Sequence, residues 1–327
     1  MMHNYLLTGR TDTDRCISLA NTAHNYYFAN KIGNAKIFAI TAKEFFDEIK
    51  KHICKRTQND ENNFDIALIK HFTKDGILNE SKYSYFQVEL EFNSKRLNYI
   101  IDNPSLINEK TVFILDYVAR FIEVCLCYSC GEIKQEVEEK RKFNFKGIAD
   151  VELPFFKLKD SNVQNKYLKA FYENAWRSQK NLNGFSFMKD KFNFYDKEVD
   201  YFYKSYGVID YFASLIFARL ANEQFLKFLS SKHSQFWNHL FDCLPRYLKN
   251  EVKQEIIEKC DNEDRNINIP IRIEALKKAG IINKLIANEL KLVNQRGNNI
   301  VHQGLTGFYL TCYHNLQVLD YLNKTYR

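Results

Sequence analysis

Apolar residues recur at helical spacing over almost the whole second half of this 327-residue chain. The pattern covers five segments, near residues 162–180, 196–231, 233–259, 270–295 and 305–325. In the second of these segments, Leu215, Ala218, Phe225 and Leu229 fall on one helical face. No alternating strand pattern competes with the helical one in this half of the sequence. The second half is therefore predicted to fold as a bundle of helices.

The first half of the chain has a mixed pattern. Thr41 followed three residues later by Glu44 is typical of a capping box, which predicts a helix that starts there. Residues 82–101 alternate apolar and polar side chains, which predicts a short antiparallel hairpin. A further helix is predicted over residues 108–141, and it ends in a run of charged residues.

A domain boundary is predicted near Pro154, where a polar stretch interrupts the pattern. The chain then divides into an N-terminal α+β domain, residues 1–155, and a C-terminal helical domain, residues 156–327. The predicted fold class is mostly α, with the short antiparallel hairpin in the first domain. Hydrophobic residues make up 45% of the chain, enough for each domain to bury a core. The formal net charge of +7 suits an anionic partner without requiring one.

The chain is expected to be cytoplasmic. Its N-terminus lacks the charged and apolar regions of a signal peptide. Its longest apolar stretch, residues 112–130, contains charged residues that a membrane span excludes. The eight cysteines are expected to be reduced thiols, because a chain of this length does not need disulfides to fold. We expect neither a membrane partner nor a cofactor.

Three of the cysteines, Cys125, Cys127 and Cys130, have a spacing that can supply half of a tetrahedral zinc site. The other half is missing from the sequence, because no second closely spaced pair of cysteines or histidines occurs. The favoured interpretation is that these thiols are small, buried apolar side chains. A zinc-dependent regulator remains an alternative hypothesis.

The residues that carry the functional argument lie between 281 and 307. In this segment a predicted helix with a buried apolar stripe is followed immediately by Arg296, Gly297, Asn298, Asn299 and His302. Polar groups placed against a core must find partners. One interpretation is purely structural: the helix is interrupted, Asn298 or Asn299 caps a new turn, and His302 hydrogen-bonds a carbonyl group.

The second interpretation is functional. The sequence R-G-N-N-I-V-H-Q-G, at the end of an amphipathic helix, resembles the R-x4–6-H motif of the HEPN superfamily. Arg296 and His302 stand at the two ends of the motif with five residues between them, and the resemblance covers roughly residues 196–327. It implies a HEPN-like helical bundle with metal-independent endoribonuclease activity. It also implies a homodimer through the helical domain, RNA as the substrate, and products with 2′,3′-cyclic phosphate ends.

The resemblance assigns a role to each residue of this site. His302 would transfer protons to and from the ribose and the leaving oxygen, and Arg296 would stabilise the extra negative charge of the phosphorane. Asn298 and Asn299 would support substrate binding, and Glu223 either orients Arg296 through an ion pair or is exposed. Six residues of ideal helix span about 600°, which leaves the pair roughly 120° apart around the axis. The two side chains could converge if the helix broke at Gly297 or if the length of the arginine sufficed.

The resemblance also implies a biological setting. HEPN ribonucleases of this kind belong to prokaryotic defence and toxin systems, in which a regulatory protein or antitoxin partner keeps the nuclease silent. Residues 1–155 would then sense a signal or bind the partner. The alternative is a non-catalytic HEPN-like module for dimerisation or RNA binding, in which Arg296 and His302 only brace the bundle.

Overall fold

The structure, a computed structural model, describes residues 12–129, 156, 163–191, 197–244, 267–303 and 309–326. Two compact units divide the chain, Met1–Glu152 and Leu153–Arg327. The described part is mostly helical, with one two-stranded antiparallel hairpin near residues 73–78. Among the helices in these ranges, none combines the length and the apolar character needed to cross a bilayer.

The first unit is built from helices α1 to α5. Their bounds are Asp12–Ala29 (α1), Ala35–Arg56 (α2), Phe64–His71 (α3), Glu80–Asp102 (α4) and Phe113–Ser129 (α5). Single turns of 3₁₀ helix lie at Glu61–Asn63 and Pro104–Leu106. The hairpin strands are Thr73–Lys74 (β1) and Ile77–Leu78 (β2), in the register Thr73 to Leu78 and Lys74 to Ile77. Asp75 and Gly76 join them, and both have positive φ, as a tight two-residue turn of this kind requires.

Helix α2 is the centre of the first unit, because it packs against α1, α3, α4 and α5. The core around it is rich in phenylalanine. The ring of Phe121 on α5 lies 5.6 Å from that of Phe46 on α2 and 6.0 Å from that of Phe86 on α4, measured between centroids. Aromatic side chains bury a large apolar area each, so three such rings hold three helices together.

The hairpin predicted over residues 82–101 is wrong, because this segment forms helix α4. Asn79 caps the helix by accepting a hydrogen bond from the backbone N–H of Lys82 at 3.1 Å. The alternation extends over only about eight residues, whereas buried positions at helical spacing run through the whole segment. These positions are Phe86, Glu89, Leu90, Phe92, Asn93, Arg96, Leu97 and Ile100. The longer helical period decided the fold over the shorter strand pattern.

Two other predicted boundaries in the first unit differ from the structure. Helix α2 begins at Ala35, so Thr41 lies inside it and its hydroxyl donates to the carbonyl of Ile37 at 3.0 Å. The helix predicted from residue 108 begins at Phe113 and is described to Ser129. The rest of that prediction, from residue 130 onward, lies outside the described residues.

The second unit contains helices α6 to α11. Their bounds are Lys166–Lys191 (α6), Lys197–Lys232 (α7), Gln235–Cys243 (α8), Ile269–Lys278 (α9), Lys284–Gln303 (α10) and Tyr309–Tyr326 (α11). Helix α7 packs against α6, α9, α10 and α11 and so forms the centre of this unit. The helices predicted near residues 162–180, 196–231 and 305–325 are confirmed as α6, α7 and α11.

The helical segment predicted near residues 270–295 is divided in the structure between two helices, α9 and α10. Gly280, with φ near +70°, ends the first of them, a conformation that glycine adopts without strain. The interruption predicted beside Arg296 does not occur either. Helix α10 continues through Gly297 to Gln303. The break between helices therefore lies near Gly280, before the motif, and not within it.

The first unit should lose stability as the pH falls, and His71 should account for part of the loss. The Nε2 atom of His71 lies 2.9 Å from the carbonyl oxygen of Tyr128. Burial lowers the pKa of His71 below its usual value, and the neighbouring Arg56 and His52 lower it too, partly opposed by that hydrogen bond. The unfolded chain therefore binds this proton more readily, so the stabilisation is present above about pH 6.5 and is lost below it.

We expect His71→Gln, which keeps a hydrogen-bond donor, to flatten the dependence of the free energy of unfolding on pH. One linked proton changes this free energy by at most about 1.4 kcal/mol per pH unit. Urea unfolding of the wild type and the variant at several pH values around 6 measures the two slopes. Identical slopes would contradict the assignment.

Candidate functional site

The candidate site is built on one face of helix α10. Leu285, Leu290, Val293 and Ile300 are buried on this helix, as its helical pattern predicts. The same face also carries two charged residues. Glu289 has no exposed surface and Arg296 is 6% exposed. Seven residues make almost two turns, so their side chains leave the helix in nearly the same direction, about 10 Å apart along the axis.

Helix α11 supplies the partners of both charges. The Nη1 atom of Arg296 donates to Asn315 Oδ1 at 2.6 Å and lies 2.9 Å from His314 Nδ1. On the other side of the same ring, His314 Nε2 lies 3.2 Å from Glu289 Oε2. His314 and Asn315 are fully buried. We call Glu289, Arg296, His314 and Asn315 the buried polar cluster.

The chemistry of arginine fixes the protonation of His314 in this cluster. A guanidinium group only donates hydrogen bonds, so Nδ1 of His314 must accept with its lone pair. The ring proton then lies on Nε2, on the side of the Glu289 carboxylate. Glu289 and Arg296 have opposite formal charges, which sum to zero, and the ring of His314 lies between them. A neutral arrangement of this kind can be buried, whereas either charge alone would be very costly.

The polar contacts continue from the cluster to helices α6 and α7. The hydroxyl of Ser178 on α6 donates to the carbonyl of Ser214 on α7 at 2.8 Å. Cys312 on α11 is buried close to Ser214 and Arg296. Burial raises the pKa of the Cys312 thiol to about 12, although Ser214, Arg296 and Thr311 each act to lower it. At neutral pH this sulfur therefore remains a thiol and cannot act as a nucleophile.

The structure places four of the predicted site residues. Arg296 points into the core, where it joins the buried polar cluster. Asn298 and Asn299 are half-buried on α10, and Asn299 Oδ1 accepts from Gln295 Nε2 at 2.7 Å. Glu223 on α7 is also half-buried, and its carboxylate pairs with Lys227 one turn later at 3.0 Å.

The fifth predicted residue, His302, lies in the last turn of α10. Its side chain lies outside the described part of the structure. Because α10 is continuous, positions 296 and 302 remain roughly 120° apart around the helix axis and about 9 Å apart along it. The break at Gly297 that would have changed this relation is absent from α10.

Gly297 instead lies where α10 and α7 approach each other closely. A Cβ atom built on Gly297 would lie 2.5 Å from Cβ and 2.6 Å from Cδ of Arg219 on α7. Carbon atoms do not approach so closely, so only glycine fits here without a shift of one helix. The glycine of the motif is therefore a packing residue in this structure.

Sequence reasoning missed Glu289, His314 and Asn315. The signal for Glu289 was present, because an acidic residue stood inside the predicted buried stripe of α10, seven residues before Arg296. The signal for the other two was weaker. A histidine and an asparagine in an amphipathic helix are ordinary surface residues until a buried charge on another helix is known to need them.

Within the described ranges, no group of three or more histidine, cysteine, aspartate or glutamate side chains is arranged to hold a metal ion. Cys125 is buried in α5. The side chain of Cys127 and all of Cys130 lie outside the residues that the structure describes. Comparisons of the chain with models of protein families, with curated proteins and with solved structures find no match.

The buried polar cluster should be a main source of stability in the second unit. Glu289→Gln removes the negative charge that balances Arg296, and His314→Ala removes the ring that contacts both residues, so for each we expect a loss of about 3–5 kcal/mol in the free energy of unfolding. The control is Asp320→Asn on α11, which removes an exposed ion pair with Lys324 and should cost less than about 1 kcal/mol. Denaturant unfolding measures all three, and equal small losses would show that the cluster contributes little.

Gly297→Ala should destabilise the second unit because the new methyl group meets Arg219 Cβ. Overpacking costs about 1–3 kcal/mol, and the better helix propensity of alanine returns about 1 kcal/mol. Asn298→Ala at the next position is the matched control and should change stability by less than about 0.5 kcal/mol. Thermal unfolding of both variants checks the difference, and a Gly297→Ala protein more stable than the wild type would contradict the close packing.

Proposed function

We propose that the helical unit is a metal-independent endoribonuclease of the HEPN type. The support is the resemblance of residues 296–304 to the R-x4–6-H motif, together with the placement of that motif on the last two turns of one continuous helix. Arg296 anchors this helix in the core through Asn315 and His314. A catalytic group on a rigid, anchored element is held in position more precisely than one on a loop.

In this proposal His302 is the general base and acid. It takes the proton of a ribose 2′-hydroxyl, and the resulting oxygen attacks the adjacent phosphorus. The bond from phosphorus to the 5′-oxygen breaks, and that oxygen receives a proton. The products are a 2′,3′-cyclic phosphate and a 5′-hydroxyl end, and the reaction needs no metal ion or other reactant. Arg296 stabilises the extra negative charge of the phosphorane, and Asn298 and Asn299 contribute amide donors beside it.

The wider setting follows from the resemblance alone. Two copies of the helical unit would form a homodimer that brings two motifs to one phosphate. The enzyme would work in the cytoplasm as part of a prokaryotic defence or toxin system. Residues 1–155 would bind the regulatory protein or antitoxin, or sense the activating signal.

A specific observation favours a second candidate, a non-catalytic module for dimerisation or RNA binding. The guanidinium group of Arg296 is enclosed by the buried polar cluster, and an enclosed arginine braces a bundle rather than contacting a phosphate. The two candidates differ in the consequence of losing His302. The enzyme loses its chemistry and stays folded, whereas the module has no cleavage to lose.

The test is an incubation of purified protein with total RNA in EDTA, followed by analysis of the new ends. We expect the wild type to produce 2′,3′-cyclic phosphate ends and His302→Ala to reduce the rate at least about 100-fold, the usual contribution of general acid–base catalysis. The control is His239→Ala, since His239 on α8 is exposed and should be irrelevant to cleavage. RNA that stays intact with the wild type but is retained in a gel shift would support the module instead. Equal cleavage by His302→Ala would exclude His302 as the base.

A further inference from the structure

A second arginine lies directly beside the motif. The aliphatic part of Arg219, on α7, rests against the backbone of Gly297, with Cβ, Cγ and Cδ all within 3.0 Å of the Cβ position that a larger residue would fill. The stem is therefore held in one place by the neighbouring helix. Arg219 is half-buried, so part of its guanidinium group remains accessible from solvent.

Arg219 has no counterion in the described part of the chain. It makes no hydrogen bond or ion pair there, and its Nε atom is buried without an acceptor. The acidic residue one turn along the same helix, Glu223, pairs with Lys227 instead. A buried N–H group without an acceptor is destabilising, so its retention calls for an acceptor from elsewhere.

The crossing of α7 and α10 contains further polar atoms without partners. Asn222 on α7 has no exposed surface, and its Nδ2 donates to the carbonyl of Leu290 on α10 at 3.1 Å. Asn294 lies between Leu290 and Gly297 along α10 and is 5% exposed. The Oδ1 atoms of both asparagines are buried and have no donor among the described residues. The crossing is therefore polar, and the one unsatisfied donor among these three atoms, Arg219 Nε, is the atom that an anionic acceptor could satisfy.

The two arginines next to Gly297 thus have opposite environments. Arg296 is enclosed and bound to His314 and Asn315, so its charge is used inside the core. Arg219 is partly accessible, its aliphatic stem is held against Gly297, and its guanidinium N–H groups have no acceptor in the described part of the chain. A guanidinium group in this state fits an anionic oxygen acceptor, and phosphate is the acceptor that its planar array of donors matches best.

We propose that Arg219 binds a backbone phosphate of the RNA, next to the turn of α10 that carries His302. This inference rests on the proposed function for the identity of the ligand. It assigns to Arg219 a phosphate contact from helix α7 that the motif itself does not include.

The test measures RNA binding in the full-length His302→Ala protein, so that the RNA is not cleaved during the measurement. A fluorescently labelled single-stranded RNA is titrated at several salt concentrations, and anisotropy gives the dissociation constant. Each phosphate contact to a single strand contributes about 0.7 to the slope of log affinity against log salt. We expect Arg219→Gln to weaken binding and to reduce that slope by about 0.7, whereas Arg219→Lys, which keeps the charge, should preserve the slope.

Two further variants control for folding and for general charge. Arg219→Met keeps an unbranched stem over Gly297 and removes only the charge, so it replaces Arg219→Gln if that protein fails to fold. Arg177→Gln on α6 removes an exposed arginine that pairs with Glu173, and it should leave the slope unchanged. Far-ultraviolet circular dichroism verifies that each variant is folded.

The outcomes separate this inference from the proposed function. Cleavage by the wild type, with a salt slope that neither neutral variant at position 219 changes, overturns the contact alone. Binding that depends on Arg219 without any cleavage overturns the enzyme and supports the contact. Absence of RNA binding at every salt concentration overturns both.

Discussion

The second unit depends on a chain of buried polar contacts between two helices. Glu289 and Arg296 project from the same face of α10, and His314 of α11 lies between them. Neither charge could be buried alone, because an isolated ion in a core costs far more than any single apolar contact returns. Each helix is therefore stable in its position only if the other is present. The cluster fixes the relative register of the two helices, since a shift by one residue would separate both contacts at once.

The first unit uses the same solution with different residues. Tyr117 on α5 donates to the carboxylate of Glu89 on α4 at 2.7 Å, and both are fully enclosed. Arg96 lies over the ring of Tyr117, with its guanidinium carbon 5.2 Å from the ring centroid, and donates to Asn93 on its own helix. In both units, an acid and an arginine on one helix contact the same side chain or pair of side chains of a neighbouring helix. Specific pairing of helices is thus provided by polar contacts within apolar cores.

These polar contacts also explain which parts of the fold could be predicted from the sequence. The long amphipathic helices α6, α7 and α11 followed from apolar periodicity, because a stripe of apolar residues has only one way to be buried. Helix α4 did not, because its buried face includes Glu89, Asn93 and Arg96, which a pattern of apolar residues counts as exposed. When these three residues are counted as exposed, the remaining apolar residues alternate with polar ones over a short stretch, as in a strand. The error arose from treating charge as a mark of exposure.

The candidate site shows the same limit. The resemblance identified Arg296 as a residue of importance, and the structure gives it contacts that the motif does not contain. Its partners are distant in sequence, and no local pattern predicts that His314 on α11 should face a charge on α10. The number of residues between two positions gives their angle around a helix, but not what another helix places opposite them. Placement against a neighbouring helix requires the tertiary structure.

Gly297 connects the packing of this region to its chemistry. Since it has no side chain, α7 can approach α10 until the stem of Arg219 touches the backbone next to Arg296. A larger residue would push α7 away and carry the second guanidinium group out of the seam. The close approach therefore places the stem of Arg219 beside the helical turn that carries Arg296, whose own guanidinium group is bound in the core. A polyanion that reached this turn would meet a charge already fixed in position, so little conformational entropy would be lost on binding.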